Sequence, residues 1–387
     1  MKAKKGGRRL AAAVFAALAL VAAGCGGHSV NKAARATSTS SSSSTSTTAK
    51  PITSKHAKAH HAKPKKHKVH AALHRVALCP LTGLPAPGGH VPDHAALAVK
   101  VENLPQARPQ WGIDKADIVF EEPVEGAITR FVVVYDCNSA SRIEPVRSGR
   151  FDDPAILEPL GKMLFAYSGA IQPVINEIDS PRSLLDDVGA NMAPDAYLRD
   201  PDRPAPHNLY TSTAALYAAA RALHYPEKPP RAIFSYGPPV AGGTAASQVS
   251  ITSPLDVTTW TYHRDTGLWY RSYSDTGTAL QGDGAQIAVS NVIVMLIDND
   301  ESIWPEDDTG THEYVVDLKG SGTAWVFRDG RQYFGHWERP LLEDPTVFVE
   351  KNGTKIKLTP GTTWEELVPV GGTGPTPTWT GSVSVKP

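Results

Sequence analysis

The sequence predicts an α+β protein: a mixed α/β-layered first domain followed by a smaller, mainly antiparallel β domain. Three observations lead there. In the first half, β-rich runs and Ala/Leu-rich segments mix without a regular βαβ rhythm. In the second half, paired β runs flank hairpin turn signals. The first 77 residues carry neither pattern.

Taken in order, Lys2 to Arg9 form a positive stretch, Leu10 to Val21 an apolar one, and Ala22-Ala23-Gly24-Cys25 a small-residue site ending in cysteine. At about 12–14 apolar residues the segment is short for a membrane-spanning helix, which needs ~20. Residues 1–24 resemble a bacterial lipoprotein signal, which implies cleavage before Cys25 and acylation of its thiol. An uncleaved anchor or an ordinary secretory signal are the alternatives. Residues 25–77 follow as a tether: Thr37 to Thr48 is unbroken Ser/Thr, and Lys50 to Arg75 is rich in Lys, His, Ala and Pro. Such composition lacks the apolar content to offset ordering entropy, so the tether is expected to be disordered. Its lysines suit an anionic membrane surface or anionic wall polymer. Its histidines show no fixed ligand spacing, and no metal or cofactor is expected.

From Leu78 the pattern becomes that of an ordered body. Ala95 to Val101, Ala116 to Phe120 and Ile128 to Tyr135 read as strands. Asp153 to Leu160 and Val174 to Ile178 read as short helices, and Thr213 to His224 as a longer one with Thr211, Ser212 and Thr213 as possible caps. Pro226 to Pro230 divides a first domain, 78–228, from a second, 229–370. There Thr258 to His263 and Leu268 to Tyr273 flank one turn, Ala324 to Arg328 and Gln332 to Phe334 flank Asp329-Gly330, and Thr346 to Glu350 and Lys355 to Leu358 flank Asn352-Gly353. Asn291 to Ile297 is a continuous apolar run suited to a sheet centre. Residues 371–387 read as a flexible tail.

Charge sharpens the division. The chain has 39 Lys+Arg and 39 Asp+Glu, but 15 of the basic residues precede Asp93, the first acidic one, which leaves the remainder at −15. An acidic body repels nucleic acid, so no nucleic-acid partner is expected. Once Cys25 is set aside, Cys79 and Cys137 make an even pair, a candidate disulfide in an oxidising compartment or two free thiols. As a disulfide, the closed loop would contribute about 4 kcal/mol on the chain-entropy model.

Pro80-Leu81-Thr82-Gly83, Ala98-Val99-Lys100-Val101-Glu102-Asn103 and Ala107-Arg108-Pro109-Gln110 resemble the YerB-like lipoproteins, which carry the paired domain of unknown function 3048. The likeness continues through Ala116 to Glu121, Glu125 to Arg130, Pro145 to Arg150 and Pro206 to Leu209, then Asn291 to Val294 and Pro360 to Trp364. It implies a bacterial protein, lipid-anchored in the cell membrane and facing the extracytoplasmic side. It implies no reaction, so chemistry rests on the residues.

Arg108, Arg130, Arg147, Ser148, Arg150, Arg203, His207 and Asn208 are the candidate ligand-binding set. Arginines hold carboxylate or phosphate bidentately, so their convergence would make an anion-binding cleft for a cell-envelope ligand. The other reading of the same residues is buried ion pairs that fix loops. An envelope hydrolase using Glu121, Glu125 and His207 is an alternative, as is a scaffold for envelope proteins. Trp260, Trp269, Tyr262 and Tyr270 suit either cross-strand packing or sugar stacking. There is no G-x-S-x-G, H-E-x-x-H, P-loop or G-x-G-x-x-G motif. These absences leave a binding protein favoured over an enzyme.

Overall fold

The computed structural model describes residues 76–306, 310–371 and 378–387. The signal segment, Cys25 and the tether up to residue 75 lie outside the described residues. The first half forms β1 (Leu97–Glu102), β2 (Ile118–Val124), β3 (Ile128–Tyr135), α1 (Asp152–Leu157), β4 (Met163–Ala166), α2 (Gln172–Ile178), β5 (Leu185–Asp187), β6 (Leu198–Arg199), β7 (Leu209–Tyr210) and α3 (Thr213–Ala222). The second half adds β8 (Thr244–Ala245), β9 (Gln248–Thr252), β10 (Val257–His263), β11 (Leu268–Tyr273), β12 (Gly277–Thr278), β13 (Ala288–Val289) and β14 (Asn291–Pro305). It ends with β15 (His312–Asp317), β16 (Gly320–Arg328), β17 (Arg331–Arg339), β18 (Val347–Glu350), β19 (Thr363–Pro369) and β20 (Ser382–Lys386). Strands dominate, in mixed and antiparallel sheets, with few helices. The α3 helix starts where its residues allow: Ser212 Oγ accepts the backbone N–H of Ala215 at 3.2 Å.

The two halves share one sheet. Its order is β18-β17-β16-β14-β19-β2-β3-β1-β4-β5, and β19 runs parallel to both β14 and β2. The other strand pairings of the second half are antiparallel. The run Thr363–Pro369 hides its strand character behind Glu365 and Glu366, yet every residue in it is buried. Buried on both faces, β1 and β2 are near-continuous apolar runs interrupted only by the charged residues discussed below.

A second sheet, β12-β11-β10-β9-β20, packs on one face of the first through Trp260 against Trp364 at 5.1 Å and Trp269 against Phe327 at 5.5 Å between ring centroids. Trp260 and Trp269 are fully buried, so they serve as core and not as a sugar platform. Helices α1 and α2 cover the opposite face with Ile156, Leu157, Val174 and Ile178. The expected tail is corrected over its last residues: Ser382–Lys386 pairs antiparallel with β9. The alternation Ser-Val-Ser-Val-Lys is a period-2 strand signal, which the Gly/Pro/Thr-rich stretch before it obscures. Lys355 to Leu358 forms only isolated bridges, Val349 with Lys355 and Tyr236 with Leu358.

Cys79 and Cys137 are joined in a disulfide, with Cα atoms 6.0 Å apart. It ties the loop before β1 to the end of β3. Cys137→Ser is expected to cost about 2–5 kcal/mol of stability, read as a lower urea midpoint under non-reducing conditions. Two labelled thiols in the denatured, unreduced wild type would refute the bond.

Candidate functional site

Strand alternation sorts the charges. Glu121 and Glu122 are neighbours on β2, so they stand on opposite faces of the large sheet. On the helix-covered face, β1 brings Lys100 and Glu102, β2 brings Glu122, and β3 brings Arg130, which pairs in register with both Glu102 and Glu122. On the face beneath the second sheet lie Glu121, Glu366 from β19 and Arg271 from β11.

The helix-side layer is a closed ion network. Fully buried Lys100 pairs with Glu122 and lies 2.7 Å from Asp153. Burial lowers the Lys100 ammonium to about 8, against the opposing pull of Asp153. Arg150, 1% exposed, pairs with Glu125, with Glu306 at 2.7 Å and with Glu313 at 3.6 Å. Arg130 pairs with Glu125 at 3.1 Å and donates to the Ser148 carbonyl at 3.3 Å. Burial alone would raise the Glu125 carboxyl, but Arg150 and Arg130 hold it down at about 2. Gly126, at φ +75°, makes the sharp turn between β2 and β3 that sets Glu125 beside these arginines. At the edge of the layer Glu102 meets Arg147 Nε at 3.2 Å and His207 Nδ1 at 2.8 Å.

The predicted arginine set thus divides. Arg130, Arg147 and Arg150 converge with Ser148, and His207 joins them through Glu102; each guanidinium already faces a protein carboxylate, while Nε of Arg130 and Nε of Arg147 make no hydrogen bond among the described residues. An anion would have to displace those partners. Arg203 instead clamps a loop, donating to the carbonyls of Ala107 at 2.6 Å and Pro109 at 3.2 Å. Asn208 accepts from Arg199 at 2.8 Å and donates to the carbonyls of Asp200 and Arg203, each at 3.2 Å. Arg108 lies on the other face, stacked 3.5 Å over the Tyr273 ring and paired with Asp275 at 2.9 Å and Asp256 at 3.3 Å. The alternative catalytic trio is not assembled: Glu121 faces the second sheet, Glu125 is held by arginines, and His207 is bound to Glu102.

A cleft of about 290 Å³ opens on Arg108's face, between the two sheets. Its lining comes from the end of β1 (Asn103, Leu104), the β2–β3 turn (Ala127, Ile128, Thr129), the second sheet (Ile251, Thr258) and β19 with Trp379 beyond it. Ala127 holds φ +58°, left-handed backbone in a residue other than glycine. Polar groups in and beneath the lining are densely bonded. Glu121 accepts from Thr129 at 2.7 Å, Asn103 at 3.2 Å and Trp364 Nε1 at 3.2 Å, and pairs with Arg271 at 2.8 Å. Glu366 accepts from Trp260 Nε1 at 2.8 Å and from Arg271 at 2.9 Å. Burial and the neighbouring Glu121 push the Glu366 carboxyl up to about 8, so it is protonated at neutral pH.

The sequence motifs did not single out Asn103, Thr129, Arg271 or Glu366 as site residues. The one local signal was an acidic pair, Glu365-Glu366, inside an otherwise apolar run. Among the described residues, no group of three or more His, Cys, Asp or Glu is arranged to hold a metal.

The family model described as "Protein of unknown function (DUF3048) N-terminal domain" matches residues 81–226, and its C-terminal counterpart matches 249–364. The chain belongs to the DUF3048 family. It is 26% identical over 302 residues to the "Putative lipoprotein YerB" of Bacillus subtilis, spanning 75% of this chain and 86% of that protein. The crystal structure of the Bacillus subtilis YerB protein aligns with a TM-score of 0.65 at 23% identity, covering 80% of this chain and 99% of that one. That likeness shows the fold. In this DUF3048 protein both matched stretches line the cleft, and Glu366 to Val368 and Trp379 complete it from beyond residue 364.

Proposed function

We propose that this DUF3048 protein is a lipoprotein anchored through Cys25 on the extracytoplasmic face of the cell membrane, and that its head binds a cell-envelope ligand in the cleft between the two sheets. The single observation behind the binding reading is the cleft: a concave, mostly apolar space over a few fixed polar groups, drawn from both halves of the chain. It lies towards the carboxyl ends of the parallel strands β1, β2 and β19, where open sheets with parallel strands commonly take ligands. The relative's name and the signal ending at Cys25 support the anchor. Among the described residues no helix is long and apolar enough to cross a membrane, so the anchor would lie in the signal or the lipid.

Labelled palmitate should enter the wild type and not Cys25→Ser. For the ligand, full-length protein is heated with soluble wall fragments and, separately, with envelope lipid extract. A ligand at 100 times its Kd stabilises by about 2.7 kcal/mol, a readable rise in Tm. The rise should vanish in Leu255→Asp at the cleft mouth and persist in Arg147→Ala, whose side chain is 25% exposed. A rise that survives Leu255→Asp and disappears in Arg147→Ala would return the site to the arginine layer.

A further inference from the structure

The accessible surface of the cleft is mostly apolar, with Leu104, Ile128, Ile251, Leu255 and Val368 contributing to it and Leu255 66% exposed. Two N–H donors of lining residues are shielded from solvent and lack a partner among the described residues, Arg108 Nε and Trp379 Nε1. The Arg108 side chain is 9% exposed, and its terminal nitrogens are committed to Asp256, Asp275 and Asn103. A buried donor left unmet forfeits the hydrogen bond it makes in water, and a ligand oxygen would restore it. The acceptors offer no such vacancy, because Glu121 already receives four protein donors. The rim sets two carboxylates, Asp256 and Asp275, against one arginine, and that excess disfavours an anionic group. Trp379 is the one aromatic ring among the described lining residues, a poor provision for stacking a glycan.

Resting on the cleft reading above, we propose that the ligand is the acyl chain of an uncharged envelope lipid, with an ester or amide carbonyl accepting from Arg108 Nε or Trp379 Nε1. A cavity of ~150 Å³ holds benzene. A space of about 290 Å³ therefore takes on the order of twelve heavy atoms, a stretch of chain and its carbonyl with the remainder of the lipid outside.

The test uses full-length protein in isolated membranes, a diazirine-bearing monoacylglycerol, and mass spectrometry of the photolysed peptides. Adducts are expected on residues 104–108, 128 and 251–256, reduced about tenfold by monolauroylglycerol at roughly ten times its Kd. Ile128→Asp should reduce them similarly, and where that variant loses its fold, Leu255→Asp carries the same expectation because its side chain is largely in water. Excess lauric acid, the anionic counterpart, should compete far less. Adducts elsewhere, or cleft adducts undiminished in Leu255→Asp, overturn the assignment. If wall fragments raise Tm in a cleft-dependent way without cleft adducts, the cleft reading stands and the acyl assignment falls. If neither signal appears, both fall.

Discussion

Arg271→Met is expected to destabilise the protein by about 3–5 kcal/mol, the usual cost of removing one partner from a buried ion pair. Arg271 is fully buried. It reaches from the second sheet to Glu121 at 2.8 Å and Glu366 at 2.9 Å on the large sheet, and also donates to Thr258 at 3.2 Å. Its guanidinium carbon lies 4.6 Å from the Trp364 ring centroid and 5.2 Å from that of Trp260, a setting in which planar arginine is not replaceable by lysine. Methionine retains most of the volume, so the loss is chiefly electrostatic: Glu121 loses the cation it bonds. The double variant Arg271→Met/Glu121→Gln should recover at least half of the loss, because glutamine needs no counter-charge. Urea denaturation measures both. A single-variant loss below about 1 kcal/mol, or a double variant no better than the single, would show that the pair contributes little to joining the sheets.

How far the sequence reveals this architecture depends on whether the signal is local. Ile128–Tyr135, the hairpin through Arg264-Asp265-Thr266-Gly267 and α3 are legible because periodicity, turn residues and a cap lie within a few positions of one another. β19 is not legible, because Glu365 and Glu366 break its apolar run, and only tertiary partners, Arg271 and the Trp260 indole N–H for Glu366, make them tolerable inside. Its pairing with β2 unites the halves, and nothing near either strand announces it. The same limit applies to the site. The arginines of Arg147-Ser148-Gly149-Arg150 are conspicuous, but their carboxylate partners come from the end of β1 for Arg147, and from the β2–β3 turn, Glu306 and Glu313 for Arg150. The alternation that puts Glu121 towards the cleft and Glu122 towards Lys100 was available in principle, once β2 was known to be buried on both sides.

Acidification from pH 8 to pH 5.5 is expected to stabilise the protein, by about 3 kcal/mol or more, through carboxyls that burial favours in the protonated form. Burial pushes Asp117 up to about 6, Asp136, Asp152 and Glu365 to about 7 and Glu366 to about 8. Burial, with Glu306 beside it, pushes Glu313 to about 9. Unfolded, the same groups titrate near ~4. Between ~4 and these raised values the folded state binds more protons than the unfolded one, so stability falls as pH rises through that window. One group shifted by two units contributes about 2.7 kcal/mol, and six groups shift in the same direction. Lys100, lowered to about 8, acts oppositely: above pH 8 the unfolded state holds the extra proton, which partly offsets further loss. Glu125, held at about 2, withdraws its contribution only as pH drops below ~4.3, where its unfolded form protonates. Stability carried by the six raised carboxyls should therefore keep rising as pH falls towards ~4, where their unfolded forms protonate, with Tm several degrees higher at pH 5.5 than at pH 8. Glu365→Gln, a neutral mimic of the protonated acid, should flatten the slope. A Tm that rises steadily from pH 5.5 to pH 8 would mean that these carboxyls are ionised in place and compensated by groups beyond those named.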